Sequence, residues 1–237
     1  MYDYLKLDYS KKNINSGNFF CFLSFLFYIC GAMKTVDLEK SIVVTSTELF
    51  LTLGFKSVTM DDIAEEMKIS KKTIYTFFSN KEALIESVVF SMYNYITTKL
   101  TQIREKANNP ISELYEVKMF IMNQLKGEKT SPQHQLRKYY PKIHKELQKK
   151  QFDFMTKSVE KSLAKGVKMK LFRPSIDIDF ISRMYFNGMV GIKNVDMFPV
   201  KKYSPEQLME NYLDYHLRAI VTEGGMKLLS SYIKTKS

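Results

Sequence analysis

Tryptophan is absent from the 237 residues, and cysteine occurs only twice, at Cys21 and Cys30. The rest of the chain therefore carries no disulfide scaffold, thiol nucleophile or cysteine zinc site. Histidine occurs three times (His134, His144, His216), never in a spacing such as HExxH that sets two imidazoles on one helix face. No metal site is expected. GxGxxG, P-loop and GxSxG motifs are missing as well, so neither a cofactor nor enzymatic activity is expected. Nine glycines and six prolines are too few for an all-β chain with many tight turns. The conspicuous apolar run, Phe19 to Cys30, falls short of the ~20 residues a spanning helix needs.

What is present is an ordinary globular balance, 45% apolar and 26% charged residues, rich in Tyr, Phe and Met. The formal charge is +11. It is unevenly placed: Lys126–Arg173 holds fourteen Lys/Arg against four Asp/Glu, whereas Met33–Lys81 holds seven of each. A solvated Lys-rich helix face explains such an excess, and an anionic effector or acidic partner is the alternative.

Residues 1–32 differ from the remainder. Lys11-Lys12 precede the apolar run, but Asp3 and Asp8 dilute the basic flank and no small-residue cleavage site follows. Three readings stand open: a true start at Met33, a membrane anchor at 19–30, or an extra helix.

Beyond Met33 the periodicity is helical, and the expected fold is all-α. Asp37–Leu53 sets Leu38, Ile42, Leu49, Phe50 and Leu53 near one face, and Gly54 ends it. Thr59-Met60-Asp61-Asp62 has the form of a capping box. The turn Lys68-Ile69-Ser70 follows, with Ser70 placed to cap the next helix, Lys71–Phe78. On that helix Ile74, Phe77 and Phe78 fall in one inward arc, leaving Lys72, Tyr75 and Thr76 outward and Thr73 on the flank. Two short helices joined by a three-residue turn make a helix-turn-helix, whose second helix can enter a major groove.

Glu48-Leu49-Phe50, Gly54-Phe55, Thr59-Met60-Asp61-Asp62-Ile63-Ala64, Ser70 through Phe78 and Lys81-Glu82-Ala83-Leu84 together resemble the TetR family of bacterial transcriptional regulators. The departures are Lys72, where the family often has Gly or Pro, Thr76 for a frequent aromatic, and Phe77 for Tyr or His. The resemblance implies an N-terminal three-helix DNA-binding unit at 36–96, with its motif at 59–78. A helical ligand-binding and dimerisation domain would fill 97–237. It also implies roles. Thr59 would bind a phosphate; Ser70, Lys71, Lys72, Thr73 and Tyr75 would meet DNA; Lys81 would neutralise a backbone phosphate. Lys72 and Thr73 are the base-edge candidates, with Thr76 behind them. The implied partners are a double-stranded DNA operator, an unidentified small-molecule effector and a second copy of the chain, in the cytoplasm. No membrane partner is expected unless 19–30 proves an anchor. The acids of the preceding helix (Asp61, Asp62, Glu65, Glu66) would repel phosphate and should face solvent or the linking helix.

Further helices are expected at Lys81–Ala107, Ile111–Lys126, Gln133–Tyr140, Pro141–Lys165, Asp177–Lys193 and Pro205–Glu223, with a short one after Gly224-Gly225. The resemblance pairs the last two long helices with their copies in a four-helix bundle, where Gly188 and Gly191 serve close approach either to a partner or within the subunit. Phe120, Phe152, Met155, Tyr185, Phe186 and Met189 can line a pocket or simply fill a core, so no ligand site is named. The function expected is a ligand-responsive dimeric regulator, a repressor, on a near-palindromic operator. A helical protein-binding adaptor and a small-molecule enzyme are the alternatives. The missing catalytic motifs oppose the enzyme, and the Thr59, Tyr75 and Lys81 set opposes the adaptor.

Overall fold

The structure, a computed structural model, describes residues 38–125, 132–194, 196–199 and 201–234. The apolar run at 19–30, both cysteines and Met33 lie outside the described residues. The helices are α1 (Leu38–Leu53), α2 (Met60–Met67), α3 (Lys71–Phe77), α4 (Lys81–Lys106), α5 (Pro110–Leu125), α6 (Pro132–Tyr139), α7 (Pro141–Lys168), α8 (Ile178–Gly191), α9 (Pro205–Ile220) and α10 (Glu223–Lys234). Among the described residues there is no strand, only one antiparallel bridge between Phe172 and Val221.

Local chemistry sets the boundaries. Gly54 stops α1 at φ +91°, its N–H donating to the Phe50 carbonyl at 2.9 Å. The left-handed backbone there suits a residue without Cβ. Lys68 ends α2 in the same region, at φ +55°, with the Ile69 N–H reaching back to the Ala64 carbonyl at 3.0 Å. That is the Schellman pattern, held here by a lysine. Thr59, Ser70, Asn80, Asp177 and Ser204 cap α2, α3, α4, α8 and α9, each side chain accepting a backbone N–H three residues on.

Among the described residues two apolar clusters form the interior. The first gathers Ile42, Phe50, Phe55, Ile63, Ile74, Leu84 and Ile85 from α1–α4 and their turns, and also Leu136, Ile143 and Leu147 from α6 and α7. The α6–α7 corner is thus seated on the turn that joins α1 to α2: Gln135 covers Gly54, and the Tyr140 ring meets Phe55 edge-on at 6.4 Å. The second gathers Ile111, Leu163, Phe172, Leu213 and Leu217, with Tyr185 and Met189 inside it. Phe152 and Phe186 pack edge to face at 5.1 Å.

Several sequence expectations are corrected. Phe77 does not turn inward; it is 41% exposed, while Ile74 and Phe78 are buried. The helix stops at Phe77, and Phe78 swings to φ −127°, ψ 110°, which carries its own ring into the core and leaves Phe77 outside. Gly166 does not end α7 but sits within it, against the buried Phe172 ring. Of the two glycines left open between a partner and the subunit, Gly188 is covered by Tyr212 of the same chain, whereas no described residue lies within 4 Å of where a Cβ on Gly191 would stand. The last helix begins at Glu223 and takes Gly224 and Gly225 into its first turn.

Candidate nucleic-acid interface

Seven residues make α3, too few for a helix stable alone. Ile74 and Phe78 anchor it, each burial contributing roughly 1.5–3 kcal/mol. With that side fixed, Lys71, Lys72, Tyr75 and Thr76 are exposed and Thr73 is half-buried. The platform below is the buried side of α2, Met60, Ile63 and Ala64. Asp61, Asp62, Glu65 and Glu66 all face solvent.

The eight side chains singled out in the sequence lie at the start of α2, on α3 and its cap, and at the start of α4, and they are not equally available. Thr59 accepts the Asp62 N–H at 3.2 Å, and its own N–H donates to the Asp62 carboxylate at 2.7 Å. Those bonds hold the Asp62 carboxyl below its ordinary range. The Thr59 hydroxyl proton stays available to a ligand. The Thr73 N–H donates to Ser70 Oγ at 3.0 Å, and the two hydroxyls share a bond at 2.8 Å. Thr76 is turned back, donating to the Thr73 carbonyl at 2.6 Å. Lys71 is engaged by Asp61 at 2.8 Å, a contact that raises its ammonium above the usual value. Lys72 has no such carboxylate among the described residues. Lys81 is half-buried at the first position of α4, where the helix dipole disfavours a cation. Burial lowers its affinity for a proton, and nearby Asp62 acts the other way. Its Nζ makes one long bond, 3.4 Å, to the Lys56 carbonyl. An anion at this spot would relieve both effects.

This arrangement occupies the stretch that matches the family model described as bacterial regulatory proteins, tetR family, over residues 42–88. Over that stretch the chain matches the TetR family. A Bacillus subtilis relative, the HTH-type transcriptional regulator YuxN, is 36% identical over 99 residues, 37% of this chain and 34% of its own length. A second from that organism, YhgD, is 36% identical over 74 residues, 31% of this chain. The chain spans about a third of the length of these two relatives (34% and 35%). The HTH-type transcriptional repressor KstR2 of Mycolicibacterium smegmatis is 26% identical over 192 residues, 76% of this chain and 88% of the relative. Among solved structures, reduced NemR of E. coli superposes with a TM-score of 0.62 at 16% identity, over 78% of this chain and 98% of that one. SmeT, repressor of the Stenotrophomonas maltophilia efflux pump SmeDEF, gives 0.61 at 18% identity, over 79% and 92%. At such identities the structures share the fold.

Sequence reasoning missed two features of this TetR-family unit. The Asp61–Lys71 pair spans ten residues across a turn, a spacing that no helical period marks. The other is Glu48 on α1. Half-buried and facing Glu66, its carboxyl is pushed up to about 7, first by burial and then by that neighbouring charge. The folded state therefore holds a proton the unfolded chain releases near pH 4.5. The stability tied to that proton is full below about pH 4.5 and is lost as pH rises through 7. Glu48→Gln should flatten the profile and gain about 1–2 kcal/mol at pH 8, after allowance for partial solvent exposure. Urea melts at pH 5 and pH 8 check it; an unchanged pH difference in the variant refutes it.

Proposed function

We propose that this TetR-family protein is a ligand-responsive transcriptional repressor that binds a near-palindromic operator as a homodimer in the cytoplasm. The observation that carries the reading is the α3 face itself: Lys72 and Tyr75 stand exposed with Thr73 half-buried beside them, on a helix anchored over the buried side of α2, while Thr59 opens α2 and Lys81 opens α4. Phosphate groups suit Thr59 and Lys81, and base edges suit Lys72 and Thr73. Ser70, Lys71, Tyr75 and Thr76 complete the contact set, Lys71 after release from Asp61.

Pairing is supported by α8 and α9. Phe180 (56% exposed), Met184 (48%) and the open Gly191 recur along one stripe of α8, and Tyr215 on α9 is 73% exposed. Solvent is a poor partner for that surface, and a copy of itself would bury it. Two copies would present their recognition helices about 34–36 Å apart, for half-sites one helical turn apart. Residues 36–96 would form the DNA-binding unit and 97–237 the effector and pairing domain, the division falling inside α4. Among the described residues no helix is long and apolar enough to cross a membrane.

The two lysines separate the roles. Lys81→Ala should weaken binding to every DNA alike and lower the salt slope by about one per contact. Lys72→Ala should lose about 1–3 kcal/mol on the operator alone and relax preference at one base pair per half-site. Selection on randomised half-sites with each variant decides it. An even loss for Lys72→Ala with unchanged preference passes base reading to Thr73 or Tyr75, and no binding by the parent protein ends the operator reading.

A further inference from the structure

Beside the recognition unit lies a second cationic surface. Lys56, in the turn after α1, places its Nζ 5.2 Å from the centre of the Tyr139 ring, and Lys138 places its own 5.3 Å from the same ring. Tyr139 is 38% exposed, so two ammonium groups share one ring at the surface. Arg137 and Lys142 are exposed on either side of that pair in sequence. Arg137 also helps burial to hold His144 below its ordinary range, as a neighbouring positive charge does. Lys142 is the second residue of α7, where the positive end of the helix disfavours a cation. Among the described residues none of these four cations has a carboxylate partner within ion-pair distance. Glu146 on the same helix is occupied by Lys150 at 3.6 Å, and Glu82 makes itself felt at Tyr140.

The shared ring accounts for Lys56 and Lys138, but fold stability gives no reason for Arg137 and Lys142 to join them, because like charges at close range repel. Their position supplies one. The Lys56 carbonyl accepts the bond from Lys81, so the patch continues directly from the side chain assigned to a backbone phosphate. We propose that the DNA-binding surface extends beyond the helix-turn-helix onto the α6–α7 corner, where Lys56, Arg137, Lys138 and Lys142 hold the phosphates next along the strand from those at Thr59 and Lys81. This rests on the operator-binding reading above. The contacts carry no base information, so they set affinity and salt dependence and leave sequence preference untouched. They also make part of the basic excess in the middle of the chain a nucleic-acid surface.

The test compares Lys138→Gln/Lys142→Gln with Lys161→Gln/Lys168→Gln, a control pair exposed farther along α7. Thermal melts establish that both variants are folded. Binding to a selected operator duplex and to unrelated duplex DNA is measured across salt concentrations. The Lys138/Lys142 variant should lose affinity for both DNAs by the same factor, with the salt slope reduced by about one for each cation removed per subunit. The control should keep the parent slope, and selected half-sites should be identical in all three proteins. An unchanged slope for Lys138/Lys142, or an equal fall in the control, overturns the proposal. So does loss of binding to phosphatidylglycerol vesicles with DNA binding intact, which would give the patch to a membrane. Lys81→Ala run alongside keeps the readings apart: if it lowers the slope and Lys138/Lys142 does not, operator binding stands and only the extension fails.

Discussion

Replacing Glu113 with leucine should destabilise the protein by about 3–5 kcal/mol at neutral pH, because it strands a buried guanidinium. Glu113 is 3% exposed, on α5. Its Oε1 accepts from Arg104 of α4 at 3.2 Å and from the Ser162 hydroxyl of α7. Phe154 lies against the Arg104 guanidinium at 5.3 Å, and among the described residues Arg104 Nη1 has no partner of its own. Burial is the leading influence on both charges, raising the Glu113 carboxyl and lowering the Arg104 guanidinium. Desolvation therefore outweighs attraction, and the pair is costly to break but contributes little when whole. Arg104→Leu should be milder at low pH, since Glu113 can take up a proton. Without Arg104 its raised carboxyl climbs further, and stability is lost as pH rises through that value. The double replacement should cost less than the sum of the singles. Denaturation of all three variants across pH checks this; strict additivity would show that the two residues do not act as a pair.

Alanine at two adjacent glycines should have opposite effects. A Cβ on Gly225 would run into the Leu171 carbonyl oxygen and also meet Val221 at 3.1 Å. The obstacle is backbone, pinned by the Thr222 N–H bond to that same oxygen at 2.9 Å and the Arg173 N–H bond to the Ile220 carbonyl at 2.9 Å. Overpacking of about 1–3 kcal/mol exceeds the roughly 0.5–1 kcal/mol that alanine gains over glycine in a helix. Gly225→Ala should destabilise. At Gly224 the nearest atom is Thr222 Oγ1 at 3.8 Å, an ordinary contact, so Gly224→Ala should stabilise by up to about 0.5–1 kcal/mol. Melting temperatures that move the same way in both variants would refute the account.

The elements read correctly from sequence are those whose cause is local. Thr59 with Asp62, Ser70 with Thr73, and Gly54 after Phe50 are each settled within four residues, and the helix-turn-helix follows from them. Where the cause is distant, the sequence leaves the outcome open or misplaces it. Nothing near Gly188 announces that Tyr212, twenty-four residues on, fills the space above it. Nothing near Gly166 announces Phe172, because the turn that returns that ring depends on Lys170 at φ +58°. Phe77 differs for a subtler reason: Phe78, just past the helix end, turns its own ring into the core and leaves Phe77, the last helical residue, outside. The cationic corner was visible as composition, but its neighbour was not, since Lys56 and Tyr139 are brought together only by the fold.

The first apolar cluster is not closed by α1–α4. Phe55 is covered by Tyr140, and Leu136, Ile143 and Leu147 complete the same interior. A chain cut after residue 96 would retain every residue of the recognition unit and still expose part of its core to water. The headpiece should therefore be less stable when cut free than within the whole chain. Heat should melt it together with the α6–α7 corner in one transition, and grafting it onto another scaffold would require that corner to travel with it.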